Sequence, residues 1–166
     1  MNRPTAFVLM MFVLLAAACA TAPNVPHDHD DVNVVLDGWH RAAAEANEVR
    51  YFDATAPEFV FLGTDATERW DRAAFREFAH PYFAKGTAWT FTPRARRVTL
   101  SPRADVAWFD ERLDSATYGE CRGSGVLRKE QGRWLITQYN LSIPIPNALA
   151  KKVVEEIRGA APTAKP

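Results

Sequence analysis

An indole, a carboxylate and two carboxamides stand at alternate positions late in the chain: Trp108 and Asp110, then Gln138 and Asn140. Between them lie Gly123 and Gly125, also two apart. Residues two apart on a strand share a face, so strand pairing decides whether these groups meet. With 114–117 as a four-residue turn and Leu113 opposite Tyr118, Trp108 faces Gly123 and Asp110 faces Cys121. With Gln131-Gly132 as a two-residue hairpin turn, Gly125 faces Gln138 and Gly123 faces Asn140. The two glycines then leave space at the centre of the sheet. Apolar walls with a few convergent polar groups are the makings of a small-ligand pocket. The competing reading is that the glycines mark a bulge, which would shift the pairing by one residue and exchange the faces. The other face carries Phe109, Glu111, Glu120, Arg122, Tyr139 and Leu141. It reads either as a homodimer surface or as an ordinary solvated sheet face.

The elements that must position these groups follow from periodicity. Apolar residues at 32, 35, 36, 39, 43, 46, 49 and 52 form one helical stripe over 32–54, with Trp39 on it and His40 beside it. Pro57 bars its continuation. Residues 58–63 (EFVFLG) read as a strand and 67–70 as a short second one. Asp71 caps a helix over 72–84, with a kink or break expected at His80-Pro81 and closure at Lys85-Gly86. Strands are expected at 88–100, which includes Trp89, and at 105–113, 118–129 and 133–143. Asn147 then caps a short helix over 148–158. Helices first and strands later mean an α+β fold.

The 166 residues, 48% hydrophobic and 24% charged, suit one globular domain with its own core. Twenty basic against 20 acidic residues leave no excess for a phosphate backbone, so nucleic acid is not an expected partner. No phosphate-cradling loop, zinc signature or Ser/His/Asp motif is present, so no cofactor or metal is expected. The His27-Asp28-His29-Asp30-Asp31 run reads as solvated linker.

Residues 1–18 read as an export signal: Arg3, then an uncharged apolar run from Ala6, too short for an ordinary membrane span. Two cleavage modes fit the small residues that follow. Ala16-Ala17-Ala18-Cys19 resembles a lipobox, with Cys19 lipidated, and an A-x-A-like site fits ordinary cleavage. Either places the mature protein outside the cytoplasm, periplasmic and, in the first case, held to a bacterial membrane through Cys19. Residues 19–31 are expected as a flexible tether, 32–158 as the domain and 159–166 as a disordered tail. Cys121 would be a lone thiol, best kept buried.

Four segments carry a resemblance: DGWHRAAAEAN, EFVFLGTDATERW, HPYFAKG and the run from VAWFDERLD through YGECRGSGVL to GRWLITQYNLSIPIPN. Over about 32–150 the chain resembles the SnoaL-like group of the nuclear-transport-factor-2-like superfamily. The resemblance implies a cone-shaped half-barrel: a strongly curved antiparallel sheet wrapped around N-terminal helices, with an internal cavity and frequent dimerisation through the outer sheet face. It also implies that a catalytic member would use a pocket carboxylate as general acid or base, here Asp110 assisted by His40. Three functions follow as expectations. The first is a small, partly hydrophobic ligand held among Trp39, His40, Trp89, Trp108, Asp110, Gln138 and Asn140. The second is a cofactor-free lyase, isomerase or cyclase. The third is a non-catalytic dimeric interaction module.

Overall fold

The computed structural model describes residues 25–86 and 88–160, with side chains from Asp28 onward. The expected leader, Cys19, the first part of the tether and residues 161–166 lie outside the described residues.

Apolar residues three and four apart build helix α1 (Val25–Ala44), whose Val32, Leu36, Trp39 and Ala43 are buried. It starts seven residues before the expected position, within the stretch read as tether. Asp28 is buried there and ion-paired to Lys129, which fixes that first turn to the sheet. The expected single helix over 32–54 is two helices. Ala46 takes a positive φ of 52°, and the Ala46 and Asn47 amides close the end of α1 on Ala43 and Ala42. Asn47 Oδ1 then accepts from the Arg50 amide at 3.0 Å and starts α2 (Glu48–Asp53). Helix α3 (Arg72–Ala84) begins at the Asp71 cap, as expected, and runs through Pro81 without interruption.

Six strands form one curved, unclosed sheet: β1 (Thr55–Leu62), β2 (Arg69–Asp71), β3 (Thr92–Leu100), β4 (Val106–Ser115), β5 (Gly119–Glu130) and β6 (Arg133–Ser142). Their spatial order is β2-β1-β6-β5-β4-β3. All neighbours are antiparallel except β1 and β6, which run parallel. Helix α1 packs across β3 and β6, and α3 against β1 and β2, so the core lies between helices and sheet. A last helix, α4 (Asn147–Gly159), follows β6 and has no buried residue. No described helix is long and apolar enough to cross a membrane.

Pairing differs from expectation in two places, and both change what faces inward. The β4–β5 connection pairs Ser115 with Gly119 and leaves a three-residue turn, with Gly119 at φ 72°. Leu113 therefore lies opposite Cys121, and β4 is shifted by an odd number of residues from the expected register. Ala107, Phe109, Glu111 and Leu113 face the core, while Trp108, Asp110 and Arg112 face out. The β5–β6 hairpin turns at Gln131-Gly132 as expected, both residues at positive φ. After Leu127 opposite Ile136, however, Val126 pairs with Gln138, so Thr137 is an extra residue. Its hydroxyl donates to the Val126 carbonyl at 3.1 Å. Beyond this bulge Tyr139 and Leu141 point inward, and Gln138 and Asn140 do not.

Candidate functional site

Chemistry-bearing groups gather in two separate regions. The first is a buried polar cluster that ties α1 to the sheet. Glu111, on β4, has no solvent exposure. Its Oε1 accepts from His40 Nε2 at 2.7 Å and from the Tyr139 hydroxyl at 3.0 Å. A carboxylate can only accept, so the His40 proton sits on Nε2. Glu111 Oε2 accepts from Arg96 Nε at 2.8 Å, and Arg96 Nη2 lies 2.8 Å away as an ion pair. Arg96, from β3, turns its Nη1 to Asp37 at 2.8 Å and to Asn33 Oδ1 at 3.2 Å, both on α1. Burial pushes the Glu111 carboxyl up, but the hydrogen bond and charge of His40, with Arg96, outweigh it and hold the group below its ordinary 4.5. Burial, then the Glu111 charge, pushes the Tyr139 phenol well above its ordinary 10.0.

This cluster occupies the space expected to be a void. A Cβ on Gly123 would lie 2.2 Å from the Tyr139 hydroxyl and 2.8 Å from Glu111 Oε1. One on Gly125 would lie 2.2 Å from the Gln138 carbonyl oxygen. The glycines make room for the protein's own side chains and backbone. With both carboxylate oxygens hydrogen-bonded and no exposure, Glu111 ties α1 to the sheet and presents no surface to a ligand.

The second region is an aromatic pocket of about 340 Å³. Phe61 from β1 and Trp70 from β2 meet Phe75, Phe78 and Tyr82 from α3, with Trp89 and Phe91 from the segment before β3. Phe61 stacks on Phe75 at 4.1 Å between ring centroids, and Trp70 on Phe78 at 4.8 Å. Tyr118 from the β4–β5 turn and Leu141 near the end of β6 complete the lining. Phe78, Tyr82 and Tyr118 are each more than two-fifths exposed, so the rim is aromatic and open. Among the described residues, the charged group of the lining is Glu68, whose carboxylate folds back to accept from the Asp65 amide at 3.2 Å. A third, shallower groove of about 440 Å³ lies between α1 and the start of β6, walled by Val34, Val35, Trp39 and Trp134 with Arg50, Asp53 and Arg133 on it. The polar cluster lines neither space.

The expected site residues therefore separate. Trp39 and His40 are buried beside Tyr139, with ring centroids 4.6 and 6.1 Å from it. Trp89 joins the aromatic pocket. Trp108, Asp110 and Gln138 are exposed on the outer sheet face, and Asn140 is half-buried with outward parity. The expectation that they enclose a cavity is corrected: an odd register shift turned β4 over, and the Thr137 bulge turned the end of β6. Glu111 as the partner of His40, and Arg96 and Tyr139 as further partners of Glu111, were not expected. One signal could have found them. The row at 107, 109 and 113 is Ala, Phe and Leu, whereas the row at 108, 110, 112 and 114 is Trp, Asp, Arg and Asp. Alternation alone puts Glu111 in the apolar row. Cys121 is buried, as expected, and burial pushes its thiol up. Among the described residues, no group of three or more His, Cys, Asp or Glu side chains is placed to hold a metal ion.

A family model for the SnoaL-like domain matches residues 32–146. No curated protein matches the chain significantly. Many solved structures share the fold. A candidate dehydratase of the NTF2-like family from Streptomyces avermitilis superposes with a TM-score of 0.64 at 11% identity, over 74% of this chain and 100% of that one. A candidate ketosteroid isomerase from Shewanella frigidimarina gives 0.53 at 20%, over 68% and 94%. A candidate calcium/calmodulin-dependent protein kinase II association domain from Xanthomonas campestris gives 0.53 at 25%, over 70% and 86%.

Proposed function

The chain belongs to the SnoaL-like domain family, and on that premise we propose that it holds a small, largely apolar molecule in the aromatic pocket. The observation that carries this reading is the lining itself: stacked rings around about 340 Å³, an open aromatic rim, and Glu68 as its charged group. That volume sits at the lower end of the range for small-molecule sites. An acid–base enzyme needs a proton carrier within reach of its substrate. Here the buried carboxylate is saturated by its own neighbours, and His40 donates to it. Binding is therefore favoured over the dehydratase- or isomerase-like chemistry in the descriptions of the two structural relatives.

Titration with a panel of apolar carbonyl and phenolic compounds tests the proposal, because Trp70 and Trp89 in the lining report on occupancy. A fluorescence change that saturates, and that weakens roughly tenfold in Trp70→Ala through loss of ring contact, is the expected result. No response from any member of the panel would refute it.

A second reading, a homodimer formed through the outer sheet face, is supported by Trp108, which is 48% exposed on that face of β4. Sedimentation of Trp108→Ala against the parent protein tests it: a shift toward monomer is expected. We also propose that residues 1–18 direct export and that Cys19 carries lipid. Mass spectrometry of the mature N-terminus decides between lipidation and ordinary cleavage.

A further inference from the structure

Helix α4 is strongly amphipathic. Leu149, Ala150, Val153, Val154 and Ile157 form one stripe at helical spacing, and Lys151, Lys152, Glu155, Glu156 and Arg158 take the other side. None of its residues is buried, and Leu149, Val154 and Ile157 stand 50%, 43% and 65% exposed. The helix has no substantial packing against any other element. An amphipathic helix earns its stability by covering its apolar face, so this one lacks its partner surface.

The matching surface lies within its reach. Leu141 is part of the aromatic pocket, and α4 starts six residues later at Asn147. Six residues span at most about 20 Å, and a thirteen-residue helix is about 20 Å long. The connecting segment 143–146 (IPIP) makes no backbone hydrogen bond to the sheet or to the other helices, and Pro146 at the start of α4 supplies no side-chain cap. A short tether of this kind gives the two surfaces a millimolar effective concentration.

We infer that α4 folds back over the pocket, with Leu149, Val153 and Ile157 supplying its missing wall. The inference rests on the ligand-site reading for its meaning: a pocket closed by this stripe selects an uncharged, apolar molecule small enough to be enclosed. It does not rest on that reading for its geometry.

The test uses the full chain with Cys19→Ser and a nitroxide on Lys152→Cys, which lies on the polar side of α4. The buried Cys121 stays unlabelled. The indole N–H signals of Trp70 and Trp89 should broaden strongly, at any dilution, while that of Trp134 stays sharp. Adding Ile157→Glu, at a position 65% exposed, should restore both signals. Sharp Trp70 and Trp89 signals in the labelled parent would overturn the inference. So would broadening that appears only when labelled chains are mixed with isotope-labelled, nitroxide-free ones, because a second copy would then be the cover. Failure of the ligand reading looks different: 2-naphthol leaves Trp fluorescence unchanged both in this protein and after deletion of 147–166, while the broadening persists.

Discussion

The polar cluster around Glu111 and the aromatic pocket beside α3 divide between them what an enzyme site would combine. The cluster has titratable groups and no room: three hydrogen bonds and an ion pair hold one carboxylate, and its side chains pack against Gly123. The pocket has room and the Glu68 carboxylate at its margin. A buried charge is retained only when its partners are complete, so completing Glu111 also closed it to a ligand. Stacked rings need no such completion and can leave a gap open to solvent. In this domain the Glu111 carboxylate serves cohesion, and the ring cluster keeps the open space.

The contrast is easiest to break at Glu111 itself. Glu111→Ala takes the buried carboxylate from Arg96, 7% exposed, which keeps only Asp37 and Asn33, and leaves the His40 and Tyr139 donors without their acceptor. A loss of about 3–5 kcal/mol in urea unfolding is expected. If the cluster were a dispensable reactive site, stability would hardly change.

Next comes Gly123→Ala, whose methyl meets the Tyr139 hydroxyl. Overpacking there should cost about 1–3 kcal/mol. Adding Tyr139→Phe, which removes the hydroxyl oxygen, should recover part of that loss, and a double-mutant cycle reads the coupling. Additive effects would mean that the space at Gly123 is not filled as described.

The acid limb of stability sharpens the comparison further. Glu111 titrates below its ordinary 4.5 in the folded protein, so the unfolded chain binds more protons in that range. Its contribution is full above about pH 4.5 and is lost as pH falls through the folded value. The fall in unfolding free energy between about pH 5 and pH 3 should therefore be steeper in the parent than in Glu111→Gln. Equal slopes would place the acid sensitivity elsewhere.

The smallest effect is expected at Asp110, exposed on the outer face. Asp110→Asn should change stability by less than about 0.5 kcal/mol and leave the fluorescence titration as it was. A clear loss of ligand response would return Asp110 to the site.

Local chemistry wrote much of this structure into the sequence. The Asp71 cap, the Gln131-Gly132 hairpin, the inward row through Cys121, Gly123, Gly125 and Leu127, and the inward Trp39 depend on neighbours a few residues away, and all are found as read. The α+β class was legible in the order of the elements, and the half-barrel is what the SnoaL-like resemblance of four segments implied. Two single-residue decisions were not legible. One is the three-residue turn between Ser115 and Gly119, the other the extra residue at Thr137. Each depends on how distant strands settle against one another, and a strand's side chains alternate with period two. A slip too small to alter the fold thus exchanged Asp110 for Glu111 and Asn140 for Tyr139 at the interior. Alternation along β4 already sets Glu111 in the apolar row, but only the folded sheet brings it to His40.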